Sequence, residues 1–236
     1  MKVMVTLTAL NEAMNLEEVI TKIRQQGYDC ILVDDGSTDG TPELARSLGA
    51  KVLQHCINLG QGYAVLTSFK AALGEDCQII IEMDADGQHD PLEIPLFVEK
   101  IELTGTDIVV GSRILGSYYQ NAPFFRKTFL PYFTWIINML TGYNLTDSMC
   151  GFRAFRKDSL SRVASLLDTM IEPQYIAAEM FIRFAREGLH VEEVPINLRD
   201  RMSGYSYKGL FRYGFGVLKA ILKTLTDKNY RGKSKK

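Results

Sequence analysis

Three oxygen-bearing side chains alternate along one short segment of the sequence, at Asp84, Asp86 and Gln88. The segment follows an isoleucine-rich run that is typical of a buried strand, and residues two apart in extended backbone point the same way. Carboxylate and amide oxygens suit a hard cation such as Mg²⁺ or Mn²⁺, and a diphosphate would complete its coordination shell. The pattern therefore favours a metal site, although D-x-D is also common in ordinary turns. His89 follows directly and is interpreted as a neighbour of this set rather than a ligand.

Two further polar segments follow the predicted first and second strands. Asn11 and Glu12 come after the first strand, and Asp34 and Asp35 begin a D-D-G-S-T-D run after the second. Adjacent carboxylates repel each other unless a cation or hydrogen-bond donors lie between them, which indicates a polar ligand. Turn chemistry and an N-cap for the next helix explain the same residues equally well. Both interpretations stay open at this point.

The elements that must position these residues alternate between strand and helix. Short apolar runs rich in β-branched residues predict strands, and the amphipathic segments between them predict helices. The predicted strands of the first half are 3–8, 30–33, 51–54 and 78–83, and the predicted helices are 16–26, 41–48 and 62–73. This alternation predicts an α/β fold with a mostly parallel sheet and helices on both faces. Ligands of such folds collect beyond the carboxyl ends of the strands, where the polar segments lie.

The second half of the chain is predicted to be less regular. We expect helix 92–101, strand 107–110, an irregular stretch over 116–146, a strand near 151–155, helices 159–167 and 175–187, strand 190–194 and a C-terminal helix. A chain of 236 residues has the length of one large domain. The predicted division is a catalytic domain over 1–207 and a basic amphipathic helix with its tail over 208–236.

Composition argues against several classes of protein. A hydrophobic content of 46% and a charged content of 23% are typical of a globular domain. The four cysteines are widely spaced and form no C-x-x-C pair, which argues against structural zinc and a disulfide framework. The longest apolar run, 129–140, is interrupted by Pro131 and is shorter than the roughly 20 residues of a membrane-spanning helix. The sequence opens on a strand-like run without a signal peptide, so we expect a cytoplasmic location.

The C-terminal segment concentrates positive charge. The whole chain has a net charge of −1, yet residues 199–236 contain 11 Lys or Arg and 2 Asp or Glu, a net charge of +9. A helix over 208–226 would place apolar residues on one face, namely Leu210, Phe211, Tyr213, Gly214, Val217, Leu218, Ile221, Leu222 and Leu225. Basic residues surround that face, as in helices that lie on an anionic membrane surface. Packing against the domain or against a second copy is the alternative.

The motifs, taken in their order and spacing, resemble glycosyltransferase family 2, whose catalytic domain has the Rossmann-like GT-A fold. They are Asn11-Glu12, Asp34-Asp35-Gly36-Ser37, Asn58-Leu59-Gly60-Gln61-Gly62, Asp84-Ala85-Asp86-Gly87-Gln88-His89, Gly111-Ser112-Arg113, and Asp147 through Cys150-Gly151-Phe152-Arg153. The resemblance covers roughly residues 3–205 and is greatest for polyprenyl-phosphate sugar transferases, such as the dolichyl-phosphate mannosyltransferases. It implies a GT-A fold and a glycosyltransferase activity with inversion at the sugar.

The resemblance assigns a nucleoside site to the first two polar segments. It implies that Asn11, Glu12 and Asp35 hold the nucleoside of the donor, with Asp34 nearby. One position departs from the family pattern, because the residue before this Asn-Glu pair is usually aromatic and here is Leu10.

The resemblance also assigns the metal site and the sugar-nucleotide pocket. It implies that Asp84 shapes the pocket and binds Mg²⁺ or Mn²⁺ together with Asp86 and Gln88. The metal would act as a Lewis acid on the leaving nucleoside diphosphate. A second departure lies close by, since the lysine familiar in the N-x-G-K-G turn is replaced by Gln61.

The acceptor is predicted from the cations of the next segment. An alcohol acceptor needs a carboxylate base, whereas a phosphate already carries a nucleophilic oxyanion and needs cations to position it. Arg113, Arg126 and Lys127 match the acceptor-phosphate positions of the family. The apolar stretch 123–137 beside Arg126 is expected to meet a lipid chain, with a core helix as the alternative.

A polar segment before the C-terminal helix resembles the mobile R-x-x-G-x-S segment of the family, which closes over the donor phosphates. Arg201 and Ser206 fit that pattern, and Arg199 is predicted to assist them. Arginine would supply the phosphate contact and glycine the hinge.

These observations predict an enzyme that moves a hexose, mannose or glucose, from GDP-mannose or a UDP-sugar to a polyprenyl phosphate. It would act at the cytoplasmic face of a membrane to which it binds peripherally, with or without a small membrane-anchoring subunit. The alternative is a family 2 transferase that extends a lipid-linked or cell-surface glycan at a hydroxyl. A nonenzymatic binding module is the third hypothesis. No nucleic-acid partner is expected, because the basic residues carry no interleaved aromatic pattern and no nucleic-acid motif.

Overall fold

The computed structural model of the protein describes residues 1–116, 124–167, 170, 175–199 and 210–226, and for 124–129, 166–167 and 210–213 it describes the backbone alone. The strands are β1 (Val3–Ala9), β2 (Asp29–Asp34), β3 (Lys51–Gln54), β4 (Ile79–Asp84), β5 (Ile108–Ser112), β6 (Arg153–Arg156) and β7 (Val191–Pro195). The helices are α1 (Ala13–Gln25), α2 (Thr41–Ser47), α3 (Gln61–Leu73), α4 (Ile94–Thr104), α5 (Phe124–Thr141), α6 (Lys157–Arg162), α7 (Ala164–Leu167), α8 (Ile176–Arg186) and α9 (Leu210–Thr226), with a 3₁₀ turn at Pro91–Glu93.

The strands form one sheet in the order β3-β2-β1-β4-β6-β5-β7. All neighbouring strands are parallel except β6, which runs antiparallel to β4 and β5. The predicted α/β fold with a mostly parallel sheet is confirmed. Because β6 runs in the opposite direction, its first residue, Arg153, lies level with Glu82 near the carboxyl end of β4. The loop before β6 therefore reaches the edge at which ligands of such sheets collect.

Burial of the central strands explains why their positions could be predicted from the first half of the sequence. Every residue of β1 is buried, and so are Ile79, Ile80 and Ile81 of β4. Continuous apolar runs of this kind are typical of parallel strands that are covered by helices. Helix α3 packs against β1 and β2, and α4 packs against β5 and β6.

Helix α5 replaces much of the irregular stretch that was predicted for 116–146, so that prediction is wrong for residues 124–141. Pro131 lies inside the helix, where proline removes one backbone hydrogen bond and usually ends the helix. Phe133 and Ile137, one helical turn apart, are buried, and α5 packs against α8, so tertiary contacts stabilise the helix. Tertiary packing thus outweighs the local cost of the proline. No helix in the described ranges is long and apolar enough to cross a membrane.

Helix α9 packs against α8 and has two different apolar faces. Its inward side consists of Gly214, Gly216, Val217, Ala220, Ile221 and Thr224, which are buried. The prediction that Gly214, Val217 and Ile221 belong to a membrane-facing side is therefore wrong, and the packing alternative holds for that side. Residues 227–236 of the predicted tail lie outside the described residues, and the division at residue 207 stays a prediction.

Glycines allow α9 to approach its neighbours closely. A Cβ atom on Gly216 would lie 1.8 Å from the ring of Tyr175, and one on Gly214 would lie 3.2 Å from the ring of Phe133. The first distance is far below van der Waals contact. The Tyr175 ring and the backbone of α9 therefore fit together only when residue 216 has no side chain.

We predict that Gly216→Ala destabilises the protein, although alanine favours a helix over glycine by about 1 kcal/mol. Overpacking against Tyr175 costs about 1–3 kcal/mol, which exceeds that gain. Urea unfolding of the full chain measures the difference. The double variant Gly216→Ala with Tyr175→Ala is the control. In the absence of the Tyr175 ring, the alanine at position 216 should no longer lower the free energy of unfolding. A higher unfolding midpoint for Gly216→Ala alone would contradict this packing.

Candidate active site

The buried carboxylate of Asp35, directly after β2, is the centre of a hydrogen-bond network. Its Oδ1 accepts from the Leu59 amide at 2.9 Å and faces His55 Nδ1 at 2.8 Å, while Oδ2 accepts from the Gly60 amide at 2.8 Å. The other ring nitrogen of His55 lies 3.0 Å from the Thr67 hydroxyl in α3. An ionised carboxylate can only accept, so Nδ1 of His55 carries a proton toward Asp35. Asp35 thereby fixes the turn that precedes α3.

Two features of this region were missed by the sequence analysis. The only sequence signal for His55 is its place directly after a predicted strand, at the ligand edge of the sheet. Gly36 has a φ of +86°, and a Cβ atom there would lie 2.9 Å from backbone atoms of both Ile57 and Asn58. The D-D-G-S turn and the turn before α3 therefore touch backbone to backbone, which only glycine permits.

The predicted nucleoside residues Asn11 and Glu12 are tied to the D-D-G-S-T-D run. Asn11 has a left-handed φ of 56°, which asparagine tolerates better than most residues. Its backbone amide donates to Ser37 Oγ at 2.8 Å, and its side-chain oxygen accepts from the Thr38 amide at 2.9 Å. The Glu12 amide donates to Thr41 Oγ1 at 2.9 Å. The structure thus brings the first two polar segments together, as expected for one site.

Asp34 and Asp39 show the turn chemistry that was the alternative interpretation. Asp34 is fully buried, its Oδ2 accepts from the Ser37 amide at 3.1 Å, and its Oδ1 has no partner within the described residues. Asp39 accepts from the amides of Thr41 at 3.0 Å and Ala13 at 3.1 Å. Asp34 therefore supports the loop from beneath. Its predicted place near the nucleoside, like the contacts of the other donor residues, stays a prediction.

The carboxylate of Asp84 ends β4 in the middle of the edge. Its Oδ1 accepts from the Gln61 side-chain amide at 2.8 Å and from the Thr8 hydroxyl at 3.2 Å. Its Oδ2 accepts no hydrogen bond within the described residues, and a Cβ atom on Gly151 would lie 3.3 Å from it. Because residue 151 has no side chain, no Cβ atom of that loop residue lies against this oxygen.

Asp86 and Gln88 follow with the predicted alternation. Both are partly exposed, as Asp84 is, while Ala85 and His89 between and after them are buried. The Gln88 amide donates to Asp86 Oδ1 at 3.0 Å. No group of three or more His, Cys, Asp or Glu side chains within the described residues is arranged to hold a metal. The predicted set contains two carboxylates and one amide, and these hard oxygens fit Mg²⁺ or Mn²⁺ provided that a diphosphate supplies the remaining ligands.

His89 and Cys150 lie behind the D-A-D segment and are not a reactive pair. The Cys150 sulfur is 4.0 Å from His89 Nε2. Burial lowers the pKa of His89 to about 4, and burial raises the pKa of the Cys150 thiol to about 12. Both groups are therefore neutral near pH 7, which excludes a thiolate with an imidazolium. The ring of His89 packs against Phe152, with the ring centroids 5.2 Å apart, which agrees with its interpretation as a neighbour of the metal set.

Arg113 follows β5 and is held by a buried acid. Its Nε and one terminal nitrogen donate to the two oxygens of Asp147 at 2.6 Å and 2.8 Å, and Asp147 is fully buried. The backbone amides of Thr146 and Asp147 donate to the carboxylate of Glu193 at 2.7 Å and 2.8 Å. This bidentate pairing fixes the plane of the guanidinium at the ligand edge of the sheet.

The structure describes the side chain of only one of the remaining predicted cations, Arg199. The Arg199 side chain pairs with Glu18 at 2.8 Å and with Asp90, and its backbone amide donates to the Gln88 carbonyl at 2.8 Å. Arg199 is thus joined to Gln88, at the end of the D-A-D segment. Its position in the sequence did not predict these contacts. Arg126 and Lys127 lie in the first turn of α5, where the backbone alone is described. Arg201 and Ser206 lie outside the described residues.

The family model described as "Glycosyl transferase family 2" matches residues 4–164, which include the turns and the D-A-D segment described above. The chain belongs to glycosyltransferase family 2. The predicted family and the predicted class of enzyme, a glycosyltransferase, are both confirmed.

Two relatives place this transferase more closely within the family. An undecaprenyl-phosphate mannosyltransferase of Micrococcus luteus is 32% identical over 215 residues, which cover 87% of this chain and 87% of the relative. A UDP-N-acetylglucosamine–dolichyl-phosphate N-acetylglucosaminyltransferase of Methanococcus voltae is 31% identical over 209 residues, which cover 80% of this chain and 82% of the relative.

A solved structure supports the fold of this family 2 transferase. Glucosyl-3-phosphoglycerate synthase of Mycobacterium tuberculosis, in complex with Mn²⁺, uridine diphosphate and glucosyl-3-phosphoglycerate, superposes with a TM-score of 0.67 at 22% identity. The match covers 94% of this chain and 79% of that protein. At this identity the likeness concerns the fold alone, and it agrees with the predicted GT-A architecture.

We predict that Gly36→Ala weakens nucleotide binding by the transferase more than Gly40→Ala does. Both glycines have a φ near +85°, so alanine is strained by about 1–2 kcal/mol at either position. Only at position 36 would the new Cβ atom also strike backbone, since nothing lies within 4 Å of the corresponding atom at position 40. Calorimetric titration with UDP and with GDP compares the two variants, and circular dichroism checks that each is folded. Equal losses of affinity would contradict the close approach of the two turns.

Proposed function

We propose that this transferase moves a hexose, mannose or glucose, from a nucleoside-diphosphate sugar to a polyprenyl phosphate, with inversion at the anomeric carbon. The observation that carries the proposal is the similarity, over at least four fifths of the chain, to two relatives named for sugar transfer to a lipid phosphate. Those relatives differ in the sugar that they are named for, so GDP-mannose and a UDP-sugar are both candidate donors.

The donor side of the site supports this proposal through its rigidity. Asn11, Glu12 and Asp35 are proposed to hold the nucleoside, and their hydrogen bonds to neighbouring turns pre-organise them before any donor arrives. The diphosphate would then extend from the Asp35 turn toward Asp84 and Asp86. Arg199, Arg201 and Ser206 are proposed to approach the diphosphate from the segment that follows β7.

Asp84, Asp86 and Gln88 are proposed to hold Mg²⁺ or Mn²⁺, for which their oxygens are the appropriate donors. A metal bound there would stabilise the negative charge that develops on the leaving nucleoside diphosphate. The protein's own contribution is to present Asp84 with one oxygen anchored by Thr8 and Gln61 and the other beside Gly151, with no hydrogen-bond donor to it among the described residues.

The acceptor side favours a phosphate over a hydroxyl. A hydroxyl must lose a proton to a positioned carboxylate. Among the described acids near Arg113, Asp147 is fully buried and Glu193 is bonded to backbone amides, while Asp84 and Asp86 are assigned to the metal. A phosphate brings its own oxyanion and needs only orientation toward the anomeric carbon. Arg113, fixed in its plane by Asp147, and Arg126 with Lys127 at the start of α5 are proposed to supply that orientation.

We predict that Arg126→Ala abolishes transfer to polyprenyl phosphate, or lowers it at least about a hundredfold, because a charge-assisted contact to the acceptor is lost. Donor binding should change less than about twofold. Initial rates at varied lipid phosphate, with calorimetry for the donor nucleotide, separate the two effects. Arg46→Ala, an exposed arginine at the far end of α2, is the matched control. A parallel loss of donor binding would contradict the assignment of Arg126 to the acceptor.

The outer surfaces of α5 and α9 support binding to a membrane surface. Tyr132, Trp135 and Met139 are exposed at helical spacing on α5. On α9 the exposed apolar residues are Phe215, Leu218, Leu222 and Leu225, a second helical stripe beside the exposed Lys219 and Lys223. Exposed aromatic and aliphatic residues flanked by lysines fit the interface of an anionic bilayer.

The two helices meet where Phe133 packs against Gly214, so the stripes belong to neighbouring elements. The polyprenyl phosphate is insoluble in water, and a bilayer is where the enzyme would meet it. We propose that the enzyme binds peripherally to a membrane and that it does so at the cytoplasmic face. A small membrane-anchoring subunit stays a further prediction.

We predict that Phe215→Ser combined with Leu222→Ser lowers binding to vesicles that contain phosphatidylglycerol by roughly tenfold or more, because buried apolar area is lost. Co-sedimentation with vesicles measures the partition. Leu103→Ser is the matched control, because Leu103 is 75% exposed on α4, away from both stripes. Unchanged binding of the double variant would indicate that α9 covers another protein instead.

A further inference from the structure

Gln61 lies where two parts of the active site come together. It is the first residue of α3, and it follows the turn that Asp35 fixes through the amides of Leu59 and Gly60. Its side-chain amide donates to Asp84 Oδ1 at 2.8 Å, across to the end of β4. The same residue therefore joins the turn of the proposed nucleoside site to a carboxylate of the proposed metal set.

The base of this contact is rigid. The backbone of Ile57 and Asn58 touches Gly36 so closely that no Cβ atom fits between them. His55 adds a second connection from Asp35 to α3, through Thr67. With the turn held on both sides, the position from which the Gln61 side chain reaches Asp84 is defined, and its hydrogen bond to Oδ1 then selects the rotamer.

Gln61 is a neutral hydrogen-bond donor, and this determines how much negative charge Asp84 keeps for a metal. Both hydrogen-bond donors to this carboxylate within the described residues, Gln61 and Thr8, are neutral, and both bind Oδ1. The carboxylate is thus oriented without being neutralised, and Oδ2 is turned toward Gly151. An ammonium group at position 61 would orient the same carboxylate but would also compensate its charge, in competition with a divalent cation.

We infer that Gln61 is a positioning residue that orients Asp84 for a divalent metal and, as a neutral donor, leaves its full charge to that metal. The inference rests on the proposed metal site of the function above. It gives a physical role to the glutamine that stands where a lysine is familiar in this turn, and it links occupation of the nucleoside site to the geometry of the metal site.

The test is a titration of the full chain with Mn²⁺ in the presence of UDP and, in parallel, of GDP, with free Mn²⁺ followed by electron paramagnetic resonance. Gln61→Met keeps the size of the side chain and removes the hydrogen bond, so Mn²⁺ should bind about threefold to tenfold more weakly. Gln61→Lys keeps a donor and adds a charge, so Mn²⁺ should bind at least about tenfold more weakly. Gln25 is an exposed glutamine at the far end of α1, and the Gln25→Met variant is the control. It should bind Mn²⁺ like the original chain.

The outcomes separate the inference from the function on which it rests. If the original chain binds Mn²⁺ with nucleotide and both Gln61 variants bind it equally well, the positioning role is overturned while the metal site stands. If the variants bind Mn²⁺ normally but lose affinity for UDP or GDP without metal, Gln61 contacts the phosphates and the inference is likewise overturned. If the original chain binds no Mn²⁺ with either nucleotide, the proposed metal site fails together with the inference. Thermal unfolding of each variant distinguishes a lost contact from a lost fold.

Discussion

One buried carboxylate, that of Asp35, accepts hydrogen bonds from the amides of Leu59 and Gly60 and faces His55 Nδ1, and the turn that it holds connects the proposed nucleoside site to the proposed metal set. A carboxylate away from water is stable only when its oxygens are satisfied, so the turn and the acid depend on each other. The order that results extends through Gln61 to Asp84, which connects the ends of β2 and β4 across β1. A flexible donor such as a nucleotide sugar would thus meet a site whose acids are already in place.

The antiparallel strand β6 makes the other half of the site. It lies between β4 and β5, and its reversed direction brings the preceding loop back to the ligand edge. Gly151 of that loop lies beside Asp84, and Asp147 pairs with Arg113. One insertion in the sheet thereby positions both a space next to the proposed metal site and a cation for the proposed acceptor. In this way the topology separates the proposed donor and acceptor residues while it keeps them at one edge.

The sequence was sufficient for the parts of this arrangement that depend on local pattern. Alternating apolar runs predicted the parallel strands, and the spacing of Asp84, Asp86 and Gln88 predicted three side chains on one side of the segment, all of which are partly exposed. Contacts between residues far apart in the sequence could not be predicted, because periodicity carries no information on which residues pair. Examples are Arg199 with Glu18 and Asp35 with His55. The helix through Pro131 was given only as the alternative to an irregular, lipid-facing stretch, since the proline disfavours a helix locally and packing against α8 cannot be seen in the sequence. The inward side of α9 was assigned to a membrane because both of its apolar faces look alike in sequence.

The proposed acceptor of this family 2 transferase is a lipid phosphate. The most direct measurement supplies purified protein with radiolabelled GDP-mannose or UDP-glucose and compares a polyprenyl phosphate with the corresponding polyprenol, in Mn²⁺ and in EDTA. For a lipid-phosphate acceptor and a metal-dependent transfer, we expect label in the lipid only with the phosphate and only with Mn²⁺. Label on the polyprenol at a comparable rate, or no transfer to the phosphate from either donor by a chain that binds the nucleotide and Mn²⁺, would contradict this proposal.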